Sequence, residues 1–232
     1  MFDAKKLLDQ FLGAQVPGGT GSVRDKAGDA VQLARNNPLA TGAIAAVLLG
    51  TGTGRALTGS ALKLGGLAAI AGLGYKAYQN YQAGQAAKDT AQAPAEEPLL
   101  PPPADSPFHP DSHGANDFVL TLVRAMIAAA KADGHIDDAE RENIMGRLQT
   151  VGLGSEAAAF LEEELASPTN VEALVAAART EEQKVELYTA SRLAIDPDGR
   201  AERGYLDLLA GRLGLADALV DHIEATVSAA KV

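Results

Sequence analysis

The chain has 232 residues, no cysteine, no tryptophan and a formal net charge of −10. This length allows one ordinary domain, or a small domain with an additional region. The missing cysteines exclude disulfides, thiolate metal sites and cysteine nucleophiles, and the negative charge argues against non-specific nucleic-acid binding. Residues 1–90 are net basic, whereas 91–117 and 118–232 are net acidic, which predicts separate parts of the chain.

Residues 1–35 are predicted to include a short amphipathic helix. Four apolar side chains lie on one side of it: Leu7, Leu8, Phe11 and Leu12. The opening sequence MFDAKKLLDQFLG has neither the long apolar region nor the cleavage site of a secretory signal peptide.

The glycine-rich sequence AVLLGTGTGRAL at Ala46–Leu57 invites comparison with a nucleotide-binding turn. A dinucleotide fingerprint needs a small residue three positions after its second glycine, and an acid about 20 residues further on. Here those small-residue positions hold Arg55 or Leu57, and no acid occurs between Asp29 and Asp89. The P-loop sequence G-K-[S/T] is also missing. The pattern therefore disfavours a nucleotide enzyme.

The glycine-rich region, residues 36–83, fits a membrane-associated helical hairpin better. The run from Pro38 to Gly54 carries no charge, and the run from Ala56 to Tyr75 carries only Lys63. Small residues recur every four positions, a spacing that permits close helix–helix association or self-association: Gly42, Ala46, Gly50 and Gly54. The alternative is a pair of Gly/Ala-rich helices that pack on protein in water. Basic residues between and beside both runs leave the orientation of the hairpin undetermined.

Residues 84–116 are predicted to form a flexible linker. This segment holds seven of the eleven prolines and few large apolar side chains. Such a composition buries too little apolar surface to offset the entropy lost on ordering.

Residues 117–232 are predicted to be all-α, forming a compact bundle of about seven helices. Capping residues precede apolar runs with helical periodicity at Asp137, Ser155, Asn170 and Thr180. The predicted helices cover residues 117–132, 137–151, 156–166, 171–178, 181–195, 200–213 and 216–230. The first of these is apolar nearly all round and is expected to be the central buried helix.

Two similar acidic turns in this region are the candidates for chemistry. The segments Lys131–Leu153 and Ala194–Leu215 share an acidic turn, a helix and a closing glycine. DGHIDDAE matches the second half of an EF-hand loop, but the first half lacks its acidic positions. If the turns face each other, six carboxylates would form one pocket for a divalent cation, Ca²⁺ before Mg²⁺: Asp133, Asp137, Glu140, Asp196, Asp198 and Glu202. Otherwise these residues cap helices.

The paired turns KADGHIDDAE and DPDGRAE, each opening a helix, resemble those of the tellurite-resistance TerB-like family. The segment ALKLGGLAAIAGLGYKAYQNYQ resembles the glycine-rich part of YebE-type inner-membrane proteins, which carry a TerB-like domain after it. The resemblance implies a bacterial protein attached to the inner membrane, with its helical bundle in the cytoplasm. It also implies an acidic surface site of metal-binding character. This site maps here onto five residues: Asp133, Asp137, Glu140, Asp198 and Glu202.

Two classes of function follow. The first is a membrane-tethered, non-enzymatic module for protein interaction or metal sensing, linked to envelope or metalloid (tellurite) stress. The alternative is a metal-dependent hydrolase that uses the acidic pocket, with His135 as the plausible base. The sequence favours the first class, and it designates no catalytic and no cofactor-binding residue.

Overall fold

The computed structural model describes residues 66–87, 99–109, 116–132, 134 and 155–231. These residues form an all-α bundle, as the sequence predicts. Seven helices lie within the described residues: α1 (Gly66–Gln82), α2 (Asn116–Ala130), α3 (Ser155–Ala166), α4 (Val171–Ala177), α5 (Glu181–Ala194), α6 (Arg200–Leu213) and α7 (Asp217–Ala230). The predicted amphipathic segment 1–35 and the predicted helix 137–151 lie outside the described residues.

Helix α1 is part of the bundle core. It packs against α5 and α7, and Leu67, Ile70 and Leu73 are almost fully buried. A Cβ atom at Gly74 would lie 3.3 Å from Cγ1 of Val185, so glycine allows α1 to approach α5 closely. Helix α1, the last part of the region predicted to be a membrane hairpin, therefore packs on protein. The sequence did not distinguish the two environments, because an apolar face of small residues can pack against lipid or against another helix.

Of the region predicted to form a hairpin, residues 36–83, the structure describes residues 66–83. Its small-residue series of Gly42, Ala46, Gly50 and Gly54 lies outside the described residues. Within the described residues, no helix combines the length and the apolar character that crossing a bilayer requires.

Residues Leu99–His109, here called the strap, cover the outer side of α1. A Cβ atom at Gly72 would lie 3.1 Å from the carbonyl oxygen of Leu100. Phe108 is 2% exposed, and its ring centroid lies 5.8 Å from that of Tyr75 and 5.5 Å from that of Tyr78. The interpretation of residues 84–116 as a flexible linker does not hold for the strap, because its few apolar side chains are the ones that pack.

Helix α5, rather than the more apolar α2, is enclosed on all sides. Every residue from Val185 to Ala194 is buried, and α5 contacts α1, α2, α6 and α7. Helix α2 is also largely buried, but Arg124 on it is exposed. Two hydroxyl groups of α5 tolerate burial because they bond within the helix: that of Thr189 donates to the carbonyl of Val185 at 2.7 Å, and that of Ser191 donates to the carbonyl of Leu187 at 3.1 Å.

The helix starts follow the capping residues. The side chain of Asn170 accepts from the backbone N–H of Ala173 at 3.0 Å, and that of Thr180 accepts from Gln183 at 3.2 Å. Gly214 ends α6 in the left-handed conformation, with φ of +69°. These local signals explain why the predicted helices after residue 155 agree with the structure to within about one residue at each end.

Candidate functional site

The structure describes one of the two acidic turns that were predicted to face each other. Asp196, Asp198 and Glu202 lie between α5 and the first turn of α6. Asp133, Asp137, Glu140 and the candidate base His135 lie outside the described residues. The shared calcium pocket therefore stays a prediction.

Asp196 belongs to a buried ion pair. Its Oδ1 atom lies 3.0 Å from Nζ of Lys231 and 3.5 Å from Nη1 of Arg192. The Asp196 side chain is 15% exposed and that of Lys231 is 3% exposed. Burial lowers the pKa of Lys231, and the neighbouring Asp196 carboxylate opposes this change. Asp196 thus compensates a buried ammonium, a role in which its charge is already engaged.

Arg192 extends this ion pair into a network that joins α5 to α7. Its guanidinium donates to Glu224, to the carbonyl oxygen of Ile195 at 2.8 Å and to the Ser228 hydroxyl at 3.0 Å. The Tyr188 hydroxyl donates to the other oxygen of Glu224 at 2.8 Å. Burial raises the pKa of Tyr188, and the Glu224 carboxylate adds to this rise. The network holds the ends of two core helices together.

Asp198 and Glu202 have different surroundings from Asp196. Glu202 accepts a hydrogen bond from the backbone N–H of Gly199 at 2.9 Å, which caps the start of α6. Asp198 is exposed, and its backbone carbonyl accepts from Nη1 of Arg203 at 2.9 Å. Within the described residues, no three His, Asp or Glu side chains come close enough together to hold a metal ion. In this turn, Glu202 acts as a helix cap.

A groove of about 250 Å³ lies between α2, α3 and α4. Apolar side chains form its floor, among them Ile127, Leu174 and Ala177. Its described lining also includes two cations, the exposed Arg124 and the half-buried Lys131, here called the rim cations, and one carboxylate, that of Glu164. Lys131 directly follows the last residue of α2, and its backbone N–H donates to the carbonyl oxygen of Ile127 at 3.1 Å. The spacing of seven residues therefore puts Arg124 and Lys131 on the same side of this segment, about two turns apart. The groove therefore combines an apolar surface with positive charge in an acidic protein.

Each rim cation has its own set of partners. Nε of Arg124 lies 2.6 Å from Oε1 of Glu164, and the guanidinium carbon lies 5.2 Å from the ring centroid of Phe160. Nζ of Lys131 donates to the carbonyl oxygens of Leu165, at 3.0 Å, and Ser167. Burial lowers the pKa of Lys131, while the charge of Glu164 acts in the opposite direction. Arg124 is thus largely neutralised, whereas Lys131 contacts uncharged oxygens.

His222, which is isolated in the sequence, is buried at the end of α1. Its Nε2 lies 3.0 Å from the carbonyl oxygen of Gln85, and its ring centroid lies 6.3 Å from that of Tyr81. These contacts attach the end of α1 to α7, which is a structural role for this histidine.

Comparison with known proteins places the chain in a family. A sequence profile described as "Protein of unknown function (DUF533)" matches residues 35–227. The chain belongs to the DUF533 family. This family is related to the TerB-like tellurite-resistance family, which confirms the coarser part of the resemblance seen in the sequence.

One curated relative and the solved structures complete the comparison. The relative is an "Uncharacterized protein in ampR 5'region" of Yersinia enterocolitica. It is 32% identical over 106 residues, which cover 46% of this chain and 76% of the relative. No solved structure matches the chain significantly.

Sequence reasoning about this DUF533 protein missed both the ion network and the groove. The network joins Asp196 to Lys231 across 35 positions, a distance over which helical periodicity carries no information. The groove had a local signal, because the sequence does show Arg124 and Lys131 seven residues apart on an otherwise apolar helix. Only the packing of α3 and α4 beside them shows that the two cations border a depression.

Proposed function

We propose that this DUF533 protein is a non-enzymatic interaction module that acts at a membrane. The groove between α2, α3 and α4 carries this proposal. It has an apolar floor and a charged rim, the combination found where one protein surface receives side chains of another. Its volume of about 250 Å³ is below the usual range for a drug-sized ligand and suits one or two side chains.

The rest of the described chain supports a scaffold role. The ion network of Arg192 and Asp196 joins helices, Glu202 caps α6, and His222 anchors the end of α1. These polar groups hold helices of the bundle together, and a preorganised bundle lowers the entropy cost of binding a partner.

Membrane attachment is proposed for the sequence before α1. The 17 residues from Pro38 to Gly54 are uncharged, close to the minimum of about 17–20 needed for a span. Alkaline carbonate extraction of bacterial membranes tests this part. We expect the full-length chain to stay in the pellet, and recovery in the soluble fraction would contradict the attachment.

Capture from detergent-solubilised membranes tests the interaction role. The full-length chain is cross-linked, purified and compared with two variants of α4, Ala173→Trp and Ala176→Trp. Both alanines are exposed, but only Ala173 lines the groove. We expect a discrete cross-linked partner that is lost in Ala173→Trp and kept in Ala176→Trp. A partner kept in both variants would place the interaction on another surface, and no partner in any sample would contradict the interaction role.

A further inference from the structure

The ammonium group of Lys131 is stabilised by two backbone carbonyl dipoles. An ammonium has three N–H donors, and two of them bond to the carbonyl oxygens of Leu165 and Ser167. In the described part of the chain, no carboxylate lies within ion-pair distance of Lys131, and Glu164 instead pairs with Arg124. Among the described residues, the third N–H of this partly buried cation meets no acceptor, so it can donate to an anionic oxygen.

The described charges around the groove are positive in sum, which favours an anionic oxygen. Among the described residues of its lining, the charged side chains are Arg124, Lys131 and Glu164, which sum to one net positive charge. The whole chain carries a net charge of −10. The described lining is thus locally positive on an acidic protein, and its positive charge attracts the carboxylate of a partner.

We propose that the groove binds a partner segment in which an Asp or Glu carboxylate is flanked by apolar side chains. The carboxylate bonds to Lys131, and an apolar neighbour lies on the floor formed by Ile127, Leu174 and Ala177. This inference rests on the interaction role proposed above and specifies the chemistry of the partner.

The surroundings of Lys131 favour a charged ligand over a neutral one. Nζ of Lys131 contacts two uncharged carbonyl oxygens, and burial lowers the pKa of this lysine because it disfavours the charged form. A carboxylate at hydrogen-bond distance would stabilise the ammonium and reverse this effect. A neutral amide of the same shape would supply a hydrogen bond without the charge, so the two can be distinguished by affinity.

The test uses short synthetic peptides and the full-length chain. The probes are Ac-Ala-X-Glu-X-Ala-NH₂, with X as Val, Leu, Ile, Met or Phe, and the same peptides with Gln in place of Glu. Binding is followed by the chemical shifts of backbone amides in ¹H–¹⁵N NMR spectra. We expect at least one Glu peptide to shift the amides of Lys131 and Leu174, with affinity about tenfold above that of its Gln counterpart.

Variants separate binding in the groove from binding elsewhere. Lys131→Met should lower the affinity of the Glu peptide to that of the Gln peptide, whereas Lys184→Met should leave it unchanged, because Lys184 forms an ion pair with Glu181 outside the groove. If Lys131→Met fails to fold, Ala173→Trp blocks the groove from an exposed position, and Ala176→Trp is its matched control. Loss of binding in Ala173→Trp, with binding kept in Ala176→Trp, supports the proposal.

Three results would overturn the inference: no binding by any Glu peptide, equal affinity of Glu and Gln peptides, or binding that Ala173→Trp leaves intact. None of them would contradict the interaction role itself, which is judged by the capture of a partner. Conversely, peptide binding without any captured partner would uphold the chemistry of the groove and contradict the cellular role.

Discussion

Asp196 and Asp198 lie two residues apart in one turn, yet the structure gives them opposite roles. Asp196 pairs with the buried Lys231, whereas Asp198 is exposed. We expect Asp196→Asn to lower the free energy of unfolding by about 3 kcal/mol, because it leaves a buried ammonium without its counter-charge. Asp198→Asn should change it by less than about 0.5 kcal/mol. Urea unfolding at pH 7 measures both, and equal effects would contradict the assignment.

The same two variants address the calcium pocket predicted from the sequence. If both acidic turns share a cation, millimolar Ca²⁺ should raise the melting temperature of the full-length chain, and Asp198→Asn should remove the rise. If the carboxylates only cap helices, Ca²⁺ should leave the melting temperature of every variant unchanged.

Tyr205 gives the folded protein a dependence on alkaline pH. Burial raises its pKa from 10.0 to about 12. Below pH 10 the phenol is protonated in both the folded and the unfolded chain. Between pH 10 and 12 the unfolded chain binds fewer protons than the folded one, so stability falls as pH rises. The contribution of Tyr205 is therefore complete below pH 10 and is lost toward pH 12.

We expect the wild type to lose stability more steeply than Tyr205→Phe above pH 10. The difference in slope should reach about 1.4 kcal/mol per pH unit. Urea unfolding at intervals between pH 9 and 11.5 measures the two slopes. The comparison cancels the contributions of Tyr188 and Lys231, whose pKa values burial also shifts, because both proteins contain these residues. Parallel curves for the two proteins would show that Tyr205 ionises as freely as in the unfolded chain.

At the level of the helix, Gly74 of α1 and Gly204 of α6 differ in whether a larger side chain can be accommodated. At Gly74 a new Cβ would already lie 3.3 Å from Val185, whereas at Gly204 it would meet no atom within 4 Å. Gly74→Leu should therefore destabilise the protein by about 1–3 kcal/mol through overpacking. Gly204→Ala should stabilise it by up to about 1 kcal/mol, because alanine favours an exposed helix. Thermal unfolding followed by circular dichroism measures both, and a Gly74→Leu variant as stable as the wild type would contradict the packing of α1.

Considered as a whole molecule, the bundle extends beyond the region that the sequence delimits as residues 117–232. Helix α1 and the strap supply Leu67, Ile70, Leu73 and Phe108 to the core. Burial of each such side chain contributes about 1.5–3 kcal/mol. Their sum is comparable to the whole stability of a typical domain, about 5–15 kcal/mol.

We therefore expect the fragment 66–232 to unfold cooperatively on heating and the fragment 115–232 to lack a cooperative transition. Calorimetry of the two purified fragments checks this, with the full-length chain as the reference. A cooperative transition in fragment 115–232, at a temperature close to that of 66–232, would show that α1 is dispensable.

The sequence predicted local structure well and long-range packing poorly. Asn170 and Thr180 identify helix starts because capping involves residues only three positions apart. The location of α1 was not predictable in the same way, since Gly/Ala-rich apolar faces suit both lipid and a closely packed helix. The strap was missed because proline predicts the loss of regular structure, which does not prevent Leu99 and Phe108 from packing. The pairing of Asp196 with Lys231 depends on the tertiary fold alone.

The position of α1 in the chain also affects how the protein is made. Its two partners in the core, α5 and α7, begin at Glu181 and Asp217, about 100 residues or more after α1 ends at Gln82. At synthesis rates of about 5–20 residues per second, at least about 5 s pass between the synthesis of α1 and the start of α5. During this interval the apolar face of α1 lacks the surface that later covers it. A nascent chain that stalls before α5 would keep an uncovered apolar helix, available to chaperones, to lipid or to aggregation.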